Sequence, residues 1–173
     1  MQQAYNLIGF RRRSQIKAPS RFFLFLIALG LCIALLEVTG NRASAGFVAP
    51  ADRLSISQPR YSGQWKGPDL KVEYRYSRDQ GQIDLSGNVI FAYSMVMGYT
   101  LLHDFRLGAI FLDENGKVLQ SNGLVTERGS FDTIPFHAKL KLLSSPVSMA
   151  FSYQGEAGGG DSGPTSFWFY PIR

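Results

Sequence analysis

From Leu70 onward, apolar and polar residues alternate with a period of two, and that period commits the chain to half-buried β-strands. Leu70, Val72, Tyr74 and Tyr76 share one face, with Lys71, Glu73, Arg75 and Ser77 on the other. After a turn at 78–82, Ile83, Leu85, Gly87, Val89, Phe91 and Tyr93 line one side of a longer strand. Phe105, Leu107, Ala109 and Phe111 repeat the pattern, as do Phe136, Ala138, Leu140 and Leu142, then Val147, Met149, Phe151 and Tyr153. One greasy face per strand is the mark of antiparallel sheet that packs on one side and meets water on the other.

The turns agree with that reading. Asp113-Glu114-Asn115-Gly116 sits between two apolar runs, and Asn-Gly supplies the positive φ of a tight hairpin. Asn122-Gly123 reads as a second such turn and Ser144-Ser145-Pro146 as a third. Ser94–Asp104 lacks clean alternation and reads as a crossover loop, a short helical turn or an irregular edge. The expected fold over residues 67–173 is all-β, an antiparallel β-sandwich of immunoglobulin-like type, with a small barrel as the other closed solution.

The first quarter of the chain is different in kind. Arg11, Arg12, Arg13, Lys17, Arg21 and Arg42 stand against Glu37 alone, so the formal net charge of +5 lies entirely in residues 1–45 and the remainder sums to zero. A neutral, mixed-charge remainder lacks the one-signed surface that nucleic acid requires. Phe22 to Leu36 is an uncharged apolar run, followed by Ala43-Ser44-Ala45 and Gly46. Basic, apolar, then small-x-small is the layout of a secretory signal peptide cut between Ala45 and Gly46. The run is helical on this reading and spans roughly 22 Å, short of a bilayer core of about 30 Å. An uncleaved anchor through residues 22–36 is the alternative, with the basic residues held in the cytoplasm. Residues 46–66, rich in Pro, Ser and Gly, read as a linker or an arm along the domain. Cys32 is the one cysteine, so residues 46–173 are left without a disulfide, thiol nucleophile or thiolate ligand.

"LSGNVIF", "FRLGAIFLDENGKVLQS" and "IPFHAKL" are similar to the Gly-anchored strand, Asp-x-x-Gly hairpin and Pro-Phe strand of small immunoglobulin-like envelope domains, the FxLYD type among them. The resemblance covers Leu85 to Leu142. It implies a sandwich at the cell envelope and brings no catalytic residues with it.

Chemistry-bearing patterns are few. Gly158 to Pro164, "GGGDSGP", comes within one glycine of the segment around a trypsin-like serine nucleophile, which would make Ser162 reactive with His103 and Asp104 or Asp113 in support. The missing glycine alters the oxyanion loop, and the chain is too short for two barrels. Gly155–Pro164 reads instead as a flexible connection between the last two strands. His103 and His137 have no metal-ligand spacing, and no cofactor motif is present. Phe167, Trp168, Phe169 and Tyr170 are consecutive, so a strand there puts two rings on each face. Phe167 and Phe169 are expected in the core. Trp168 and Tyr170 are the candidate partner contacts, unless the arm at 46–66 covers them through Trp65.

These patterns lead to the expectation of an exported, non-enzymatic module, periplasmic or secreted, that binds a protein or an envelope polymer. Two other readings stay open: a small exported hydrolase built on Ser162, and a carrier of an apolar ligand in a closed cavity.

Overall fold

The computed structural model describes residues 46–159 and 162–173. The expected signal or anchor segment, with Phe22–Leu36, Ala43 and Ala45, lies outside the described residues, as do Gly160 and Asp161. Among the described residues, no helix is long and apolar enough to cross a membrane.

The chain forms β1 (Leu54–Ser55), β2 (Arg60–Lys66), β3 (Leu70–Asp79), β4 (Gln82–Phe91), α1 (Tyr93–Gly98), β5 (Leu101–Leu112), β6 (Val118–Gly129), β7 (Ile134–Lys141), β8 (Ser148–Gly159) and β9 (Ser162–Phe169). One sheet runs β2-β3-β4-β7; in the other, β6 pairs β5 and β5 pairs β8. The free side of β8 is shared, with β1 on Ser148 and Met149 and β9 on residues 153–159. All pairings are antiparallel, and the two sheets close over one core as a β-sandwich.

The period-two faces explain that packing. Leu70, Val72, Tyr74 and Tyr76 of β3 and Ile83, Leu85, Val89 and Phe91 of β4 are all buried. They meet Phe105, Leu107, Ala109, Phe111, Met149, Phe151 and Tyr153 of the opposite sheet. Aromatic rings join the layers: Tyr74 lies 5.4 Å from Phe151 and Phe91 lies 5.2 Å from Phe105, both edge to face. Each such side chain contributes roughly 1.5–3 kcal/mol by leaving water. A polar clamp adds to them. The Tyr153 hydroxyl donates to Asp69 Oδ2 at 2.7 Å, tying β8 to the turn between β2 and β3.

Several sequence expectations change. Residues 46–66, read as linker or arm, contribute β1 and all of β2; Tyr61, Gly63 and Trp65 alternate with Ser62, Gln64 and Lys66, a short period hidden by the Pro and Ser around it. Asn122-Gly123 is no turn. It lies inside β6 opposite a register shift of β5 between Leu107 and Gly108, where glycine suits a bulge. The glycine-rich Gly155–Pro164 is mostly strand: β8 runs to Gly159 and β9 starts at Ser162, with those two residues paired. Small residues are needed there because a side chain on Gly155 would strike the Phe167 ring. Tyr93 leaves the apolar face of β4 and opens α1, which plugs one end of the sandwich with Met95.

At the opposite end the chain's first and last described residues are strapped together. Val48 bridges Ile172, the Phe47 N–H donates to the Arg173 carbonyl at 3.3 Å, and the Arg173 N–H donates back at 2.9 Å. Beneath this strap lies a second small cluster, Val48, Ile110, Leu112 and Ala150, on the outer side of the β5–β8 pair. Arg53 pins the strap to the β5–β6 hairpin, donating to the Val48 and Asn115 carbonyls. Gly116 is required at that hairpin twice over: its φ is 86°, and any side chain would collide with the Arg53 guanidinium.

Candidate binding surfaces

β9 decides where its four consecutive aromatics point. Phe167 and Phe169 face inward, with Phe167 buried and Phe169 packed 5.2 Å from Trp65. Trp168 and Tyr170 face outward and are 67% and 57% exposed. The cover expected from Trp65 is not there: Trp65 is itself buried, 5.7 Å from Phe151, because the alternation of β2 turns it into the core. Two large rings two residues apart, Trp168 on β9 and Tyr170 just past its end, therefore stand in water, where their apolar area gains nothing for the fold.

Their neighbours are polar and come from paired strands. Trp168 pairs with Gln154 of β8, and Gln154 pairs with Arg106 of β5, so an indole, an amide and a guanidinium form one row across the outer face. In the next row, Asp104 is flanked by Arg106 at 3.2 Å and Arg128 at 3.6 Å. This face offers flat apolar area beside hydrogen-bond donors and acceptors.

The residues of the serine reading do not assemble into a described site. Ser162 opens β9, and its side chain and Asp161 lie outside the described residues. His103 is exposed on β5 and rests over Gly158, where a side chain would meet its ring. Asp113 caps its own hairpin, accepting from the Asn115 and Lys117 N–H groups at 2.9 Å each. His137 is exposed on the outer face of β7, 2.7 Å from Asp84. Of the cleavage residues, Gly46 alone is described, and its carbonyl accepts from the Val118 N–H at 3.0 Å.

Two surfaces escaped the sequence reading. Tyr93, Val96 and Met97 stand together on α1 and Leu101 follows, all exposed; their spacing of three, four and eight was visible, but Tyr93 had been assigned to strand β4. The other is a trough of about 1380 Å³ on the outer face of β2-β3-β4-β7, lined by polar side chains together with Tyr61, Pro135 and Phe136. It is open and its lining mixes polar and apolar groups about evenly, unlike the closed greasy cavity that an apolar-ligand carrier needs. Alternation foretold that the face was polar but not that it was concave. Gly87 lies between Tyr74 and Phe136 on the neighbouring strands, and a side chain there would collide with the Glu73 carbonyl and the buried Phe136 ring, so the strands pack closely at that point.

Burial also marks the tyrosines beneath. It pushes the Tyr74 hydroxyl up to about 12 and raises Tyr76 as well. Tyr153 is raised by burial first and then by its bond to Asp69. These hydroxyls stay protonated at any ordinary pH, and those of Tyr153 and Tyr76 donate, to Asp69 and to the Ser55 carbonyl. No protein-family model, curated protein or solved structure matches this chain.

Proposed function

We propose that the protein is an exported, non-enzymatic β-sandwich of immunoglobulin-like type that serves at the cell envelope as a binding module. The observation that carries the binding reading is the exposed pair Trp168 and Tyr170, set beside Gln154 and Arg106 on one face. Its partner is a protein or a surface polymer of the envelope.

Strand order supports the immunoglobulin-like type. β3, β4 and β7 stand as strands A, B and E do in that fold, and β9, β8 and β5 as G, F and C. β2 is an addition outside the first strand. The export reading rests on the basic, apolar and small-residue layout of residues 11–46. It is supported by Gly46, which already takes part in the hydrogen bonding of the domain.

Export is tested by the intact mass of protein made in a native-type host, after separation of membrane and soluble fractions. A mass starting at Gly46 in the soluble extracytoplasmic fraction is expected; a full-length mass in the cytoplasm contradicts export. A full-length mass confined to the membrane makes residues 22–36 an anchor and leaves the module tethered. Binding is tested by adding isolated envelope polymers and following the fluorescence of Trp168, with Trp168→Phe as control. Turnover of ester or peptide substrates that disappears in Ser162→Ala, with the melting temperature unchanged, would overturn the non-enzymatic reading.

A further inference from the structure

We infer that the trough on the outer face of β2-β3-β4-β7 is a second binding site, and that its ligand is an extended polysaccharide chain bearing carboxylates. The site lies on the opposite sheet from Trp168 and does not depend on that surface.

Charge comes first. Two carboxylates belong to the trough, and each already has a cation: Glu73 takes Lys71 at 2.9 Å, and Asp84 has Lys139 at 3.9 Å besides its hydrogen bond with His137 at 2.7 Å. Arg60 and Arg75 also line it, both exposed, and among the described residues neither forms a salt bridge. The trough therefore keeps two guanidinium groups in excess. Arg60 pairs with Ser77 and Arg75 with Ser62, which makes the two arginines diagonal neighbours, roughly 7–8 Å apart at the backbone. That spacing lets both reach acidic groups along one chain.

Arg75 is set for the task. Its Nε donates to Ser86 Oγ at 3.0 Å, which fixes the plane of the guanidinium and leaves its terminal nitrogens for a ligand. A planar fork held in place loses little entropy when it takes a carboxylate through two bonds.

The remaining lining selects a sugar chain over other polyanions. Ser62, Gln64, Ser77 and Asn88 offer hydroxyl and amide groups that match sugar hydroxyls and ring oxygens. Tyr61, the one exposed ring among the lining aromatics, packs 6.2 Å from Tyr74 and 6.1 Å from Tyr76, so the outer face presents no row of rings. An acidic peptide would find no row of apolar pockets for its side chains. A nucleic acid would find no stack of rings, and Glu73 and Asp84 would oppose its phosphates. Four strands at about 4.8 Å spacing give a floor roughly 14 Å wide, broad enough for an extended glycan.

The test is calorimetric titration of the protein made in a native-type host with a uronic-acid hexamer at low salt. A neutral glucan hexamer, poly-glutamate and a single-stranded oligonucleotide are titrated alongside. The uronic-acid hexamer should bind at least about tenfold tighter than any of the three. Arg75→Ala and Arg60→Ala should each weaken it by about tenfold with an unchanged melting temperature, and Arg75→Lys should restore only part of the loss. Trp168→Ala should leave this binding unchanged, so failure here is separate from failure of the Trp168 surface. Absence of hexamer binding, indifference to both arginines, or tighter binding of poly-glutamate or the oligonucleotide overturns the proposal.

Discussion

Along the end of β9 and the residue after it, neighbouring aromatics have opposite fates. Phe167 and Phe169 meet Trp65, Phe105 and Tyr153 inside the sandwich, while Trp168 and Tyr170 stand in water one residue away. The residue types hardly differ; the pleat alone separates them. Rings on the inner face hold the sheets together, so they are explained by stability. Rings on the outer face contribute little to it, and the proposed binding role rests on their presence there.

The comparison can be broken first from the inside. Phe151 is fully buried and lies 5.7 Å from Trp65 and 5.4 Å from Tyr74. Phe151→Ala should cost about 3–5 kcal/mol of unfolding free energy in a denaturant titration, since the cavity it leaves cannot collapse onto rings from both sheets. A loss below about 1 kcal/mol would mean that the inner rings do not join the sheets.

Alkaline pH acts on the same layer. Burial raises Tyr74 from 10.0 to about 12, so the folded state prefers the protonated hydroxyl more strongly than the unfolded chain does. Its contribution is fully present below pH 10 and is lost as pH rises toward 12. Tyr153 and Tyr76 shift in the same direction. Stability should therefore fall between pH 10 and 12, with the tyrosinate absorbance of these buried hydroxyls appearing as the protein unfolds. Smooth titration of every tyrosine near pH 10 in folded protein would contradict this burial.

A smaller effect is expected at the polar clamp. Tyr153→Phe keeps the ring and removes the hydrogen bond to Asp69, which should cost about 1.5 kcal/mol, the low end for a bond to a charged group, because Asp69 is partly open to water. Thermal unfolding of the pair Tyr153→Phe and Asp69→Asn measures their coupling. The smallest effect belongs outside: Trp168→Ala and Tyr170→Ala should each change stability by no more than about 0.5 kcal/mol.

The sequence made the strands legible wherever one face was greasy over several residues. β3, β4, β5 and β7 carry their apolar sets at a strict period of two, and those sets are the core. β2 was hidden because Arg60–Lys66 has only Tyr61 and Trp65 on its inner face, with Gly63 between them and Ser- and Pro-rich residues before it. The glycine-rich end of β8 was hidden for a related reason: without side chains there is no alternation to read, although the backbone pairs as in any strand. Trp168 and Tyr170 were legible from local parity alone. The trough was not, since its lining is gathered from four strands that come from distant parts of the chain.

The central claim is that Trp168 is an uncovered surface ring while Trp65 belongs to the core. Acrylamide quenching of tryptophan fluorescence, comparing protein from a native-type host with its Trp168→Phe variant, tests it most directly. The difference between the two should be a water-like emission that is strongly quenched, and the Trp65 signal left in the variant should be blue-shifted and shielded. A shielded, blue-shifted difference spectrum would contradict the account, because Trp168 would then be covered by the protein itself and free for no partner.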